Sequence, residues 1–221
     1  MQNPKFLYLF LLLLLGELMA RSIFPDIPWL EYLFKPTLMI SLGIWYFQNT
    51  RASSPPFNKY IAFAIFASLL GDIFLLRGGG FLPGLAAFLL AHIAYIIAFY
   101  RNNPIPVFFQ KDRLPWAVLV AIYGGILLYV LLPHLGAMQV PVVVYALTIL
   151  TMILTALNRW KCVPQTSFAP VLIGAILFVL SDSLLAINKF VGSLPASGIL
   201  IMATYAIGQY LIVTGSAKKN Y

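Results

Sequence analysis

Charge is what this chain has least of, and acidic charge above all. Only 9% of its 221 residues are Asp, Glu, Lys or Arg, and six are acids. A water-soluble domain carries about 25% charged residues, so a free-standing soluble fold is excluded. Cys162 is the single cysteine, which excludes an internal disulfide. Together with two histidines it forms no zinc-site spacing. The chain contains no Gly-x-Ser-x-Gly elbow, no His-Glu-x-x-His, no P-loop and no dinucleotide fingerprint. It offers no Ser-His-Asp order suited to a nucleophilic triad. The apolar stretches do not alternate with period two, which excludes the strands of a membrane barrel. The basic residues form no face or nucleic-acid motif, so the net charge of +8 does not indicate nucleic-acid binding.

What the chain has is long apolar runs. Hydrophobic residues make up 62%, and the mean hydropathy is +0.93. The runs are long enough to cross a bilayer as helices of about 18–20 residues. Eight spans are predicted, at about 5–22, 31–48, 58–76, 81–100, 114–132, 139–157, 168–187 and 194–214. Turn chemistry separates them: Ser53-Ser54-Pro55-Pro56, Gly78-Gly79-Gly80, Asn102-Asn103-Pro104-Ile105-Pro106, Pro133-His134-Leu135-Gly136 and Pro164-Gln165. Residues 1–221 therefore read as one all-α integral membrane domain, a polytopic bundle. The first run, Leu9 to Leu15, imitates a signal peptide. Glu17 and Arg21 stand where small cleavage-site residues would belong, so a retained helix is expected.

Orientation follows from basic residues. Ten lie on one side: Lys5, Arg51, Lys59, Arg101, Lys111, Arg113, Arg159, Lys161, Lys218 and Lys219. Four lie on the other: Arg21, Lys35, Arg77 and Lys189. The positive-inside rule places both termini in the cytoplasm, in the inner membrane if the source is bacterial. Trp29, Tyr32, Trp45, Tyr46, Tyr60, Tyr100, Trp116 and Trp160 stand near span ends, as interfacial aromatics do. A 4+4 parallel repeat is also legible. Asp72 and Asp182 are 110 residues apart, and so are Tyr95 and Tyr205.

Asp72 and Asp182 each interrupt an apolar run, in Ser68-Leu-Leu-Gly-Asp72 and Phe178-Val-Leu-Ser-Asp182-Ser183. A carboxylate at that depth costs about 2.5–3.5 kcal/mol on insertion scales, so it marks a functional site by default. The bland reading is a hydrogen bond to a neighbouring helix. Topology places both Asp in one half of the membrane, together with Glu17 and Lys35, with His92 and Tyr205 nearer the middle. Gly84, Phe88, His92, Tyr95 and Phe99 share one helical face, and Tyr205 and Gln209 share another. Glu17 and Arg21, four apart, read as a helix-end ion pair. Lys35 reads equally as a snorkelling cation, and Tyr95, Tyr145, Tyr205 and Gln209 equally as polar glue.

Two carboxylates in a low-dielectric site do not ionise together easily, so one can act as general acid while the other stays a base. That suits acid-catalysed cleavage through an oxocarbenium-like cation, water attack on an amide, or, in another class altogether, proton-coupled transport. The protease reading lacks its Gly-x-Gly-Asp motif, since the residues here are Leu69-Leu70-Gly71-Asp72.

Several segments together resemble one family. They are Lys35-Pro36; Ser68-Leu-Leu-Gly-Asp72; Phe81-Leu-Pro-Gly84 through Phe88 and His92 to Tyr95; Tyr145-Ala-Leu; Gly174-Ala175 through Phe178 to Ser181-Asp182-Ser183; Lys189-Phe190; and Thr204-Tyr205 to Gln209. The chain resembles the YhhN-like membrane proteins, the transmembrane lysoplasmalogenases. The resemblance implies an eight-span bundle. It also implies hydrolysis of the vinyl-ether bond of a lysoplasmalogen, a lysophospholipid, to a fatty aldehyde and glycerophosphoethanolamine or glycerophosphocholine. Asp72 and Asp182 would then be the catalytic pair, with Lys35, His92, Tyr95, Tyr145, Ser181, Tyr205 and Gln209 supporting or binding substrate. Lys35 would hold the phosphate, and His92 and Tyr205 would orient an Asp or water. No metal or cofactor is called for, and the partners are the lysolipid and the surrounding membrane lipids.

Overall fold

The computed structural model describes residues 4–50, 58–77, 79–104 and 110–218. The turn residues Ser53 to Pro56, Gly78, Ile105 and Pro106, and the cations Arg51 and Lys219, lie outside the described residues.

Among the described residues eight α-helices follow one another: α1 Pro4–Ser22, α2 Trp29–Thr50, α3 Lys59–Leu76, α4 Phe81–Tyr100, α5 Leu114–Leu131, α6 Gln139–Leu157, α7 Gln165–Ala186 and α8 Ser197–Ser216. No strand occurs among the described residues. The predicted spans match these helices to within about three residues, and each deviation has a local cause. The α7 helix begins early because Pro164, extended at φ −56° and ψ 145°, stands immediately before it. At its far end it runs on as one π-helical turn, Ile187–Val191. The α8 helix begins late because the Asn188 side chain accepts the Leu194 N–H (2.9 Å) and Ala196 is left-handed at φ 53°. The Asn58 side chain caps α3 by accepting the Tyr60 N–H (3.0 Å).

Helices α3 to α8 are each long and apolar enough to cross a membrane. The α1 helix carries Lys5, Glu17 and Arg21, and α2 carries Glu31 and Lys35, so these two are more polar. Both pack into the bundle, α1 on α2 and α8, and α2 on α3 and α8. Leu38, Met39 and Leu42 of α2 are fully buried beside Ala64 of α3, Tyr95 of α4, Phe178 of α7 and Val213 of α8 in one continuous core. Outward faces stay apolar: Leu12, Phe66, Ile126 and Tyr129 are all exposed. Such a surface matches lipid rather than water. The protein is an integral multi-pass membrane protein.

An even number of helices returns the chain to the side where it began. Phe6, in the first turns of α1, stacks 6.0 Å from Tyr210 near the end of α8. That side is called here the terminal end, and the opposite side the far end. Helices four apart pack alike, α3 on α4 as α7 on α8, and α2 on α3 as α6 on α7.

The α7–α8 contact is a backbone contact. A Cβ built on Gly174 would stand 2.6 Å from the Gly208 carbonyl oxygen, and one on Gly208 would stand 2.9 Å from that of Gly174. Small residues are how helices approach closely in lipid, where apolar surface alone does not drive association. Gly125 of α5, by contrast, meets nothing within 4 Å. Gly174→Ala should therefore destabilise the bundle by about 1–3 kcal/mol through overpacking. Gly125→Ala should leave stability unchanged or raise it. Thermal unfolding of both variants in detergent checks the contrast; equal effects would contradict it.

Candidate active site

Asp72 sits one turn before the end of α3, where the apolar sequence leaves its carboxylate 1% exposed. Two neighbours hold it. The Lys35 Nζ, from the far-end half of α2, lies 3.5 Å from Oδ1. The Tyr205 hydroxyl of α8 donates to Oδ2 (2.7 Å). Next to Asp72, Gly71 has no side chain and the Phe88 ring of α4 fills that space, within 2.6 Å of where a Cβ would stand.

Asp182 sits one turn before the end of α7. The Tyr145 hydroxyl of α6 donates to its Oδ2 (2.6 Å). The His92 Nε2 of α4 lies 3.3 Å from the same oxygen and 2.9 Å from the Tyr145 oxygen. With the Tyr145 proton directed at Asp182, both neighbours of Nε2 are acceptors, so this network assigns the hydrogen of His92 to Nε2. His92 Nδ1 is buried without a partner among the described residues. Oδ1 of Asp182 receives no hydrogen bond from the described residues, and the side chain stays 13% exposed.

Both aspartates lie toward the far end, as the topology expects, with different partners. No hydrogen bond joins Asp72 to Asp182 among the described residues. Aromatic rings link the two clusters. Phe178 packs edge-on against His92 (4.7 Å) on one side and against Tyr205 (5.3 Å) on the other. Phe88 packs against both Tyr205 (5.7 Å) and Phe178 (6.2 Å). A cavity of about 40 Å³ opens beside Asp182, walled by Leu75, Phe81, Leu85, Phe88, Val142 and Phe190. Its polar lining is Asp182 and Tyr145; Asp72 and Lys35 do not reach it. A water molecule needs roughly 10–15 Å³ of such space, so the cavity has room for a water as well as the end of a small group.

The remaining residues picked from the sequence divide. Tyr145, His92, Tyr205 and Lys35 all touch a carboxylate. Lys35 was expected on a phosphate and is found on Asp72. Tyr95 touches neither Asp: it donates to Gln209 Oε1 (2.6 Å), and Gln209 Nε2 donates to Ser68 Oγ (2.8 Å). That chain ties α4, α8 and α3 together one turn below Asp72. Ser181 donates to the Ile201 carbonyl (2.9 Å), joining α7 to α8. The sequence offset of 110 is therefore not followed by the chemistry: Tyr205 serves Asp72, while Tyr95 serves Gln209.

Glu17 and Arg21 form the expected ion pair (2.9 Å), and Arg21 also reaches Glu31 (3.3 Å). Glu17 itself is fully buried, and its Oε2 has no partner among the described residues. Two features escaped the sequence reading. Tyr123 of α5 donates to Ser183 (2.7 Å), beside Asp182. Phe88 and Phe178 form the wall between the aspartates, although helical periodicity had already set Phe88 on the His92 face.

The profile of the YhhN family matches residues 30–216, which takes in α2 to α8 and both aspartate clusters. The chain is 31% identical to the lysoplasmalogenase TMEM86B of Homo sapiens over 196 residues, covering 87% of this chain and 78% of that protein. It is 32% identical to TMEM86B of Sus scrofa, covering 83% and 74%. To the lysoplasmalogenase of Mycobacterium tuberculosis it is 32% identical, covering 61% and 50%. No solved structure matches the chain. A helical membrane bundle with both aspartates inside the matched segment, this chain belongs to the YhhN family.

Proposed function

We propose that the protein hydrolyses the vinyl-ether bond of a lysoplasmalogen, with Asp182 as the general acid and Asp72 as its ionised partner. Relatives that bear the name lysoplasmalogenase support the reaction. The observation that carries the division of roles is Asp182, its Oδ1 without a hydrogen bond from the described residues, beside a cavity lined by apolar side chains and Tyr145.

The chemistry follows from the contacts. Oδ2 of Asp182 is occupied by the Tyr145 and His92 donors, so a proton on this carboxyl resides on Oδ1, on a residue that lines the cavity. Oδ1 gives that proton to the β-carbon of the vinyl ether. The C=C π pair forms the new C–H bond, and an oxygen lone pair forms the C=O⁺ bond of the oxocarbenium ion. Asp182, now a carboxylate, faces this cation and takes a proton from the water that adds to it. The hemiacetal then breaks its C–O bond to give the fatty aldehyde and the glycerol hydroxyl. Asp72 carries its negative charge beside the Lys35 ammonium and, across the aromatic wall, favours the build-up of positive charge on the oxocarbenium ion. An ammonium has three donors and Asp72 occupies one, so Lys35 retains two for the substrate phosphate.

Both termini are proposed to be cytoplasmic. The excess of Lys and Arg at the terminal end supports this orientation.

Aldehyde release from 1-alkenyl lysophosphatidylethanolamine tests the function. Asp182→Asn should lose about a hundredfold to ten-thousandfold in kcat, the range for a general acid. Tyr145→Phe should lose about tenfold to a hundredfold, as one hydrogen bond to a charged group does. Wild-type protein inert on alkenyl lysolipids would defeat the reading, and full turnover by Asp182→Asn would defeat the role. For the orientation, a C-terminal reporter fusion should signal in the cytoplasm; a signal from the other side would reverse it.

A further inference from the structure

The terminal end of the bundle contains a second concentration of charge that the proposed hydrolysis does not use. Arg113, immediately before α5, and Arg159, just past α6, are 4% and 3% exposed. Neither guanidinium has a carboxylate in ion-pair range among the described residues. The sequence explains why. Of the six acids, Glu17, Asp26, Glu31, Asp72 and Asp182 belong to the far-end half. The sixth, Asp112, is exposed and held by Lys161 (3.1 Å), whose hydrogen bond keeps its carboxyl below the usual range. The chain supplies no other acidic side chain that could neutralise the two arginines.

Neutral acceptors take part of each fork. Arg113 Nη1 donates to the Asn158 carbonyl and to its side-chain oxygen, both at 2.8 Å, while Nη2 donates to the Trp160 carbonyl and points at Cys162 Sγ (3.8 Å). Arg159 donates from Nε to Asn102 Oδ1 (2.9 Å) and from Nη2 to Ser167 Oγ (2.7 Å), and lies over the Phe99 ring at 5.4 Å. Two donors are left over: Arg113 Nε and Arg159 Nη1 are buried with no partner among the described residues. Burial holds the Arg159 guanidinium down at about 10, so it remains charged at neutral pH. A buried cation left with unused donors is expensive unless an anion supplies the missing charge.

A third donor group stands beside them. Ser167, the acceptor for Arg159, lies in the first turn of α7, a helix of 22 residues. The first N–H groups of a helix have no intrahelical acceptor and carry partial positive charge. Such a terminus next to arginine is suited to a tetrahedral anion.

We propose that Arg113, Arg159 and the first turn of α7 form a binding site for a phosphate-bearing anion at the terminal end of the bundle. The phosphate belongs either to the headgroup of an anionic lipid in the adjoining leaflet or to a free phosphate from solution. Its contacts are Arg159 Nη1, Arg113 Nε and the Gln165 and Thr166 amides of α7; the next two amides, of Ser167 and Phe168, already donate to the Pro164 carbonyl (2.8 and 2.9 Å). The same helix carries Asp182 near its opposite end, so the ligand would order the element that positions the acid.

The test reads stability rather than activity, and so is independent of the hydrolase reading. Purified full-length protein in detergent is titrated with phosphatidylglycerol, with phosphatidylcholine, and with inorganic phosphate against chloride at equal ionic strength. Tm is followed throughout, because a ligand that binds only the folded state raises it. A saturable rise with phosphatidylglycerol and not with phosphatidylcholine identifies the lipid; a saturable rise with inorganic phosphate identifies the free anion. In either case Arg159→Gln should weaken the apparent affinity at least about tenfold, as loss of a buried charge contact does. Arg159→Lys is the milder variant. It keeps the charge, removes the orphan donor, and should weaken binding with little change of Tm in lipid-free detergent. The absence of a saturable rise with either anion, or a rise of equal affinity in wild type and both variants, would overturn the proposal.

Discussion

In a bilayer a charge without a partner is the costliest thing a helix can carry, and the pairing of charge organises this bundle. Lys35 is buried because Asp72 is there to meet it, and α2 is held against α3 by that contact. Arg21 reaches Glu17 on its own helix and Glu31 on the next, which fixes the α1–α2 corner. Asp182 lacks a cation of this kind and is held by a phenol and an imidazole instead. That difference separates two otherwise similar carboxylates into an ion-paired one and one held by two donors at a cavity.

The geometry changes the picture of a catalytic dyad. Two aspartates sharing one proton would have to touch, and these face different neighbours across Phe88 and Phe178. Aromatic rings between two charged centres exclude water and keep the local dielectric low, so a charge on one side is felt on the other without contact. Tyr205 and His92 each pack against Phe178, which makes that ring the mechanical link between the clusters. The bonds of Tyr95, Gln209 and Ser181 belong to the scaffold: they tie α3, α4, α7 and α8 into the block on which the site is mounted.

Much of this was legible before the structure. Apolar run length gave eight helices, since a span must match the bilayer and little else competes with that signal. The two buried acids were legible because charge in an apolar run has no cheap explanation. Helical period placed Phe88, His92 and Tyr95 on one face. It could not say which neighbouring helix that face meets, so Tyr95 was grouped with the carboxylates although it bonds Gln209. The depth of Lys35 is legible in the sequence, but its partner on α3, Asp72, is not. Tyr123 and Ser183 meet across α5 and α7, a contact between residues 60 apart for which the sequence carries no local mark.

The central claim is that a carboxyl group of the protein transfers a proton to carbon. Hydrolysis of an alkenyl lysolipid in deuterated water, with the aldehyde trapped at once by reduction, measures that transfer by mass spectrometry. The account predicts one deuterium on the carbon next to the former aldehyde carbon in every product molecule, and little release by Asp182→Asn. An aldehyde released by the wild-type protein without deuterium at that position would contradict it.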